Sequence, residues 1–143
     1  NNVDLVQRAK DLGAKVVAPD EIYSVECDVF SPCALGAVLN DRSIPKLKTA
    51  IVAGSANNQL AEPRDAEQLQ KKDILYAPDY VINAGGLIYA YAEYQNRLNR
   101  EHVVQHIATI YSTLIEIFKC ALDENKLPST VADNLAKSRL NNI

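Results

Sequence analysis

The chain has 143 residues, of which 48% are hydrophobic and 23% are charged, and its formal net charge is −3. This composition excludes a disordered or collagen-like protein, and no apolar run approaches the roughly 18 residues that a membrane span needs. The mildly acidic balance argues against a nucleic-acid partner. The length fits one domain over residues 1–143. Because the chain starts at Asn1 and contains no methionine, we expect it to be a piece of a longer protein.

The first half of the chain alternates helical patterns with short apolar runs. A helical face over residues 5–12 is followed by Gly13, at the place where a helix ends. Residues 36–48 predict short helical turns with Ser43 as the N-cap, and residues 65–72 predict a helix. The apolar runs that predict β-strands are residues 15–18, 27–30, 49–53 and 74–77. Brief apolar strands between helices are typical of a parallel α/β sheet that is buried on both faces.

The second half of the chain is helical. It begins with a predicted helix over residues 86–97, and Asn99 is placed to cap the next helix. That next helix carries apolar residues at helical spacing on one face, which predicts packing in the core or at a seam between domains. These residues are Val103, Ile107, Ile110, Tyr111, Leu114, Ile117, Phe118 and Ala121. Residues 125–128 break the pattern, and Thr130 with Asp133 predicts a capping box for a last helix.

The cysteines and histidines do not form a metal-binding pattern. The three cysteines, Cys27, Cys33 and Cys120, include no CxxC pair, and their odd number does not fit a disulfide framework. His102 and His106 are four residues apart, which could place two imidazoles on one metal, but no glutamate stands between them as in HExxH. Two surface histidines are the favoured interpretation, so we expect no metal. No segment is typical of a signal peptide, which favours the cytoplasm.

Three loops that follow predicted strands have an unusual composition. They are Pro-Cys-Ala-Leu-Gly-Ala at residues 32–37, Gly-Ser-Ala-Asn-Asn-Gln at 54–59 and Asn-Ala-Gly-Gly at 83–86. Parallel sheets bind ligands beyond the carboxyl ends of their strands. Side-chain amides can pair with a carboxamide, a ribose hydroxyl or an amino-acid head group, and glycines let a ligand come close. Each loop alone is compatible with an ordinary turn, but together the three predict a ligand site.

Motifs of several other enzyme classes are absent from the sequence. It has no GxSxG, no GxxxxGK[ST] and no kinase-type HRD loop. It also has no GxGxxG, the phosphate-binding turn that a complete dinucleotide fold is expected to contain. The absence of this turn argues against a stand-alone cofactor domain.

Four stretches carry a resemblance that runs through nearly the whole chain. They are residues 27–41, 44–48, 53–60 and 76–86, the last of which reads Tyr-Ala-Pro-Asp-Tyr-Val-Ile-Asn-Ala-Gly-Gly. The chain resembles the glutamate/leucine/phenylalanine/valine dehydrogenase family, and its leucine dehydrogenase branch most closely. The resemblance implies the second half of a Rossmann-like parallel sheet with helices on both faces, at about residues 1–85, and C-terminal helices at about 86–143. It also implies that the N-terminal substrate domain and the glycine-rich turn lie outside this chain.

The resemblance implies that a full-length parent oxidatively deaminates an aliphatic, leucine-like L-amino acid to a 2-oxo acid and ammonia, with NAD accepting the hydride. Family members take their acid–base residues from the substrate domain, so we expect no catalytic residue in this chain and no turnover by it alone. The parent is expected to be a homo-oligomer. NADP in place of NAD stays open, as do phenylalanine or valine dehydrogenase activity. The alternative is a non-enzymatic binding or assembly module that uses the helical half as its interface.

The resemblance also assigns the ligand contacts. The residues that it implies for cofactor binding are Cys33, Ala34, Leu35, Asn57, Asn58 and Asn83. Asn58 is also expected near the polar head of the substrate, with Leu87 and Ala90 on the substrate side chain. Leucine dehydrogenases usually have valines at the last two positions, and a methylene in an apolar pocket changes specificity by only about 1–3 kcal/mol. Tyr89 and Tyr91 fit either substrate contact or ordinary packing.

Overall fold

The computed structural model describes residues 2–96 and 99–141. Its strands are β1 (Val29–Phe30), β2 (Ile51–Val52) and β3 (Leu75–Tyr76). Its helices are α1 (Val3–Asp11), α2 (Asp65–Lys71), α3 (Asp79–Ile82), α4 (Gly85–Tyr94), α5 (Arg100–Glu124) and α6 (Pro128–Leu140), with 3₁₀ turns at Ile22–Ser24 and Ile44–Lys46. The order of strands and helices follows the sequence pattern closely.

The three strands form a parallel sheet in the order β1-β2-β3. Val52 of the central strand is in register with Phe30 on one side and with Tyr76 on the other. Parallel neighbours need a crossover connection, and α2 lies in the crossover from β2 to β3. The predicted α/β class with a parallel sheet is confirmed. Because all three strands run in the same direction, the loops that follow them start side by side.

The strands are shorter than the apolar runs that predicted them. Each ladder has two residues per strand, and beyond it Glu26 and Lys48 form only an isolated parallel bridge. The strand predicted at residues 15–18 is wrong, since these residues form no ladder with the described part of the chain. A strand needs a neighbour whose N–H and C=O groups face its own. The apolar run at 15–18 has no such neighbour and is mostly exposed.

Two hydrophobic clusters hold the chain together. The main cluster lies between the sheet, α2 and the crossover before β2, and its buried members are Leu39, Ile44, Leu47, Val52, Leu69, Ile74 and Tyr76. The second cluster lies where α5 meets α6, and its buried members are Ile117, Ala121, Val131 and Ala132. Val81 of α3 packs against the second cluster. Helix α3, which follows β3 directly, therefore connects the sheet to the helical half.

Two predicted helix boundaries are confirmed. Gly13 follows α1 with a φ of +89°, a left-handed conformation that a residue without a Cβ adopts at little cost. Asn99 caps α5, because its Oδ1 accepts hydrogen bonds from the N–H groups of Glu101 at 2.9 Å and His102 at 3.3 Å. These N–H groups have no partner inside the helix. The cap therefore fixes where the longest helix begins.

The predicted N-cap position at Ser43 is confirmed, but its side chain does not make the capping hydrogen bond. Ser43 directly precedes the 3₁₀ turn. Its hydroxyl donates to the carbonyl oxygen of Val38 and accepts from the N–H of Asn40 at 3.0 Å. Serine hydroxyls commonly bond to nearby backbone in this way. Here the hydroxyl closes the preceding loop.

The predicted capping box of Thr130 and Asp133 is wrong. Helix α6 begins earlier, at Pro128, so both residues lie inside it. Proline is favoured at the first helical position, where its missing N–H is not needed. The carboxylate of Asp133 instead accepts a hydrogen bond from the hydroxyl of Tyr80 at 2.6 Å. Asp133 therefore bonds to Tyr80, which is distant in sequence, and not to the backbone of Thr130 as a capping box requires.

The apolar face of α5 is only partly buried. Val103, Ile117 and Ala121 are buried, which confirms core packing near the two ends of the helix. Tyr111, in the middle of the same face, is 75% exposed. The predicted packing is therefore incomplete within this chain. No helix in the described ranges is long and apolar enough to cross a membrane.

Candidate functional site

The loops after the three strands lie side by side at one edge of the sheet. We name them the first loop (residues 31–38, after β1), the second loop (53–60, after β2) and the third loop (77–86, after β3), the last of which includes α3 and the first two residues of α4. The last residues of the strands, Phe30, Val52 and Tyr76, are in register, so the three loops begin next to one another. This is the edge at which parallel α/β sheets bind ligands.

Backbone hydrogen bonds join the first loop to the second. The N–H of Ala56 donates to the carbonyl oxygen of Pro32 at 2.9 Å, and the N–H of Ala37 donates to that of Asn58 at 2.6 Å. Ala37 and Asn58 have left-handed φ angles of 56° and 50°. Asparagine visits this region more readily than most residues, whereas for alanine it costs roughly 1–2 kcal/mol. Strain of this kind clusters at ligand sites, where the surrounding structure holds it.

Two glycines allow the first and second loops to touch. A Cβ on Gly54 would overlap the backbone of Pro32. A Cβ on Gly36 would lie 2.8 Å from the carbonyl oxygen of Asn57 and 3.0 Å from that of Asn58. Any side chain at these two positions would push the loops apart. The contact between the loops therefore depends on the small residues that the sequence places there.

A side-chain hydrogen bond joins the second loop to the third. Asn83 Nδ2 donates to Asn57 Oδ1 at 2.6 Å and to the carbonyl oxygen of Ala56 at 3.4 Å. In this arrangement the Asn57 amide offers its Nδ2 as a donor, and the Asn83 amide offers its Oδ1 as an acceptor. A carboxamide also has a donor and an acceptor side by side, so it could pair with both of these groups at once.

Two buried polar residues, Gln59 and Asp79, support the second loop from inside. Gln59 is fully buried, and its Nε2 donates to the carbonyl oxygens of Gly54 at 2.7 Å and Ala56 at 3.0 Å. Its backbone N–H donates to Asp79 Oδ2 at 2.9 Å. Neither residue was predicted from the sequence to belong to the site. The available signal was an amide at the end of a loop rich in small residues, but its burial depends on a neighbouring loop.

The predicted cofactor-binding residues lie on these touching loops. Cys33, Ala34, Leu35, Asn57 and Asn58 are exposed, and Asn83 is half-buried. The structure therefore places all six on three adjacent loops, which backbone hydrogen bonds and the buried Gln59 and Asp79 support. The six residues combine apolar side chains of the first loop with amides of the second and third loops.

The first loop also carries a polarised thiol. Cys33 Sγ lies 3.3 Å from Ser31 Oγ. A hydrogen bond with Ser31, together with bonds to Ser55, lowers the pKa of the Cys33 thiol below its ordinary value. Because the side chain is exposed, a larger fraction of reactive thiolate is accessible to solvent. The serine two residues before the cysteine was the only sequence signal for this effect.

Comparison with known proteins identifies the family. Residues 1–139 match the model of the Glutamate/Leucine/Phenylalanine/Valine dehydrogenase family. The chain belongs to this family. It is 46% identical to the leucine dehydrogenase of Geobacillus stearothermophilus over 140 residues, which are 97% of this chain and 38% of that protein. It is 51% identical to the phenylalanine dehydrogenase of Lysinibacillus sphaericus over 120 residues, which are 82% of this chain and 31% of that protein.

A solved structure supports the same assignment. The crystal structure of the L-tryptophan dehydrogenase from Nostoc punctiforme superposes with a TM-score of 0.93 at 43% identity, covering 99% of this chain and 43% of that one. The chain spans less than half the length of each of these proteins.

The residues predicted to contact the substrate side chain, Leu87 and Ala90, lie on α4, directly after the third loop. They are three residues apart, so they share a helix face, and Leu87 is 74% exposed. Tyr89 and Tyr91 are also exposed, which argues against packing within the described part of this dehydrogenase-family chain. Apolar side chains on an open face after the amide loops are available to a substrate. Their role stays a prediction.

The two histidines of α5 line a pocket with Ile88, Tyr91 and Ala92 of α4. His102 and His106 are both exposed. Within residues 2–96 and 99–141, no three His, Cys, Asp or Glu side chains are grouped closely enough to hold a metal ion.

Proposed function

We propose that this chain forms the nicotinamide side of the cofactor site in an NAD-dependent L-amino acid dehydrogenase. The reaction is the oxidative deamination of an aliphatic, leucine-like L-amino acid to a 2-oxo acid and ammonia. The observation that carries this proposal is the 2.6 Å hydrogen bond between Asn83 and Asn57. It fixes two amides next to each other at the ligand-binding edge of a parallel sheet. Membership of the family supports the reaction class.

The chemistry of the donor set fits NAD. The nicotinamide ring carries a carboxamide, which needs a donor and an acceptor side by side, and the ribose carries hydroxyls that pair with amides. Asn57, Asn58 and Asn83 would hold these groups, while Cys33 to Leu35 would pass along the apolar face of the ring. NAD supplies the hydride acceptor when it is bound, and the protein contributes orientation.

The proposed substrate contacts are Asn58 for the polar head and Leu87 with Ala90 for the side chain. The relatives carry the names of leucine, phenylalanine and tryptophan dehydrogenases. Apolar pockets discriminate weakly between such side chains, by about 1–3 kcal/mol per methylene. We propose a leucine-like substrate, with phenylalanine or valine as the alternatives. The chain alone is expected to bind the cofactor without turnover.

Calorimetric titration of the chain with NAD tests the cofactor site. We expect micromolar binding, and Asn83→Ala should weaken it about tenfold, the loss expected for about 1.4 kcal/mol of hydrogen bonding. Asn134→Ala, which removes an exposed amide on α6, is the matched control and should bind as the wild type does. Absence of NAD binding to the wild-type chain would contradict the proposal.

A chimera tests the reaction. The chain replaces the matching 38% of the Geobacillus stearothermophilus leucine dehydrogenase, which supplies the remaining parts of the enzyme. We expect the chimera to reduce NAD with leucine, and its relative rates with leucine, valine and phenylalanine to identify the preferred side chain. A folded chimera that binds NAD but oxidises none of the three amino acids would refute the substrate assignment.

The second candidate is an assembly module that uses the helical half. It is favoured by apolar side chains on α5 that this chain leaves exposed, namely Val104, Tyr111, Ile115 and Leu122. They recur at spacings of seven and four residues, so they form one stripe along the helix. A homo-oligomeric parent would use the same surface. Light scattering alongside the NAD titration separates the candidates, because self-association without NAD binding would favour the module.

A further inference from the structure

The second loop is held at both ends by buried polar groups that the cofactor does not need to touch. We propose that Gln59 and Asp79 are positioning residues, which fix the geometry of the Asn57, Asn58 and Asn83 amides before a ligand arrives. This inference rests on the function proposed above. It concerns what holds the amides of Asn57, Asn58 and Asn83 in place. We call the surface that these three amides form the amide surface.

Gln59 closes the second loop on itself. Its Nε2 uses both hydrogens within the loop, one on the carbonyl oxygen of Gly54 and one on that of Ala56. The side chain is fully buried, and its Oε1 has no hydrogen-bond partner in the described part of the chain. An unsatisfied buried acceptor is unfavourable, and native proteins contain few of them. Its presence here indicates that the donor end of the amide is what this position requires.

Asp79 ties the second loop to the third. Its Oδ2 accepts the N–H of Gln59 at 2.9 Å, and its Oδ1 accepts the N–H of Tyr80 at 2.9 Å. Its own N–H donates to the hydroxyl of Tyr76 at 3.3 Å. Asp79 is only 8% exposed, so water screens these charge-assisted bonds weakly. One carboxylate thus holds the backbone of both loops.

Asp79 also holds the backbone of Asn83, the third residue of the amide surface. Asp79 is the first residue of α3, and its carbonyl oxygen accepts the N–H of Asn83 at 2.9 Å. Asn83 then donates to the side chain of Asn57. Asn57 and Asn58 therefore lie between two fixed points, Gln59 along the chain and Asn83 across the surface. Removing either fixed point lets the amides move, although Gln59 and Asp79 are themselves buried.

The test uses the 143-residue chain and NADH, whose fluorescence reports the surroundings of the nicotinamide ring. Gln59→Met keeps the length of the side chain but removes the donors. We expect it to fold, to weaken NADH binding about tenfold and to lose the fluorescence change that the wild type shows on binding. Asp79→Asn keeps the shape and removes the charge, and it should act in the same direction.

Gln68→Met is the matched control. Gln68 also donates two side-chain hydrogen bonds, to Asp41 and Asp65, but it lies on α2, outside the three loops. This variant should show the wild-type fluorescence change even if its melting temperature falls, whereas a purely structural role for Gln59 would make the two glutamine variants alike.

The outcomes distinguish this inference from the function on which it rests. A wild-type chain that does not bind NADH would overturn the proposed function and this inference together. Wild-type binding with unchanged affinity and fluorescence in folded Gln59→Met and Asp79→Asn would overturn this inference alone. Circular dichroism of each variant shows whether it is folded, and if Gln59→Met does not fold, Asp79→Asn decides.

Discussion

Asn58 has a backbone task and a side-chain task that can be separated. Its left-handed backbone, with φ of 50°, turns its carbonyl oxygen toward the N–H of Ala37 in the first loop. Its side chain is exposed at the surface proposed for the nicotinamide. Glycine adopts the same backbone without strain but lacks the amide. Alanine lacks the amide and is strained as well.

We therefore expect Asn58→Gly and Asn58→Ala to weaken NAD binding equally, by about tenfold, because both remove the amide. Only Asn58→Ala should also lower the free energy of unfolding, by about 1 kcal/mol, because of the left-handed backbone. Calorimetry and urea denaturation measure the two effects. Equal stability of the two variants would show that the backbone relaxes, and unchanged binding would remove the Asn58 amide from the site.

At the scale of elements, apolar periodicity predicted where the strands and helices lie but not how far the strands extend. The run at residues 49–53 became the two-residue strand β2, because ladder length is set by neighbours that a single segment does not encode. The caps show the same limit: Asn99 acts locally and was predicted, whereas Asp133 bonds to Tyr80, 53 residues away. The candidate site, too, has a part that the sequence predicts and a part that it does not. Exposed amides can be read from composition, but the burial of Gln59 comes from the loops around it.

The contact between the first and second loops depends on Gly54. Gly54→Ala would place a Cβ against the backbone of Pro32, which cannot move aside as a flexible side chain would. We expect the loss of about 1–3 kcal/mol of unfolding free energy, the usual range for overpacking, together with weaker NAD binding. Gly86→Ala is the matched control. Nothing lies within 4 Å of a Cβ there, and the position is in α4, so a gain of about 0.4–1 kcal/mol is expected.

Urea denaturation of the two glycine variants checks this prediction. If Gly54→Ala were as stable as Gly86→Ala, the first loop would have to shift without cost, and the close contact would have no role in holding the amides.

From the contact between the third loop and α6, we expect the stability of the protein to depend on alkaline pH. The Tyr80 hydroxyl donates to Asp133 and, at 3.1 Å, to the carbonyl oxygen of Ser129. Partial burial, and then the nearby Asp133 carboxylate, raise the pKa of Tyr80, which is 49% exposed. The unfolded chain loses this proton near pH 10, while the folded chain keeps it. Stability from this group is therefore fully present below about pH 10 and falls as the pH rises further.

Tyr80→Phe removes both hydrogen bonds, so we expect about 1 kcal/mol less unfolding free energy at neutral pH. Above pH 10 the free energy of unfolding of the variant should fall less steeply with pH than that of the wild type. Part of the fall remains in both proteins, because burial also raises the pKa of Tyr76. Urea denaturation at a series of pH values measures both effects. Tyr94→Phe, at an 81% exposed position, should keep the wild-type stability at neutral pH. Parallel alkaline profiles for wild type and Tyr80→Phe would contradict this account.

At the scale of the whole molecule, the chain has a well-packed middle and open flanks. The main core surrounds β2, the central strand, whereas β1 pairs with a neighbour on one side only in the described part of the chain. Helix α1 has no buried residue, and its apolar Val3 and Leu5 and its C-cap Leu12 are exposed. Local stability follows such differences in burial, so the flanks should open at lower free energy than the middle.

Amide hydrogen exchange tests this gradient. At low protein concentration we expect the amides of α1 to exchange much faster than those of α2, which buries Leu69 in the core. Deleting residues 1–12 should change the unfolding free energy by less than about 0.5 kcal/mol, as for other surface changes. If a second copy covers the apolar residues of α1, the protection of the α1 amides from exchange should rise with protein concentration. The protection of the α2 amides should stay constant. Core-like protection of α1 at every concentration would show instead that the helix packs against its own chain, since binding between copies must weaken on dilution.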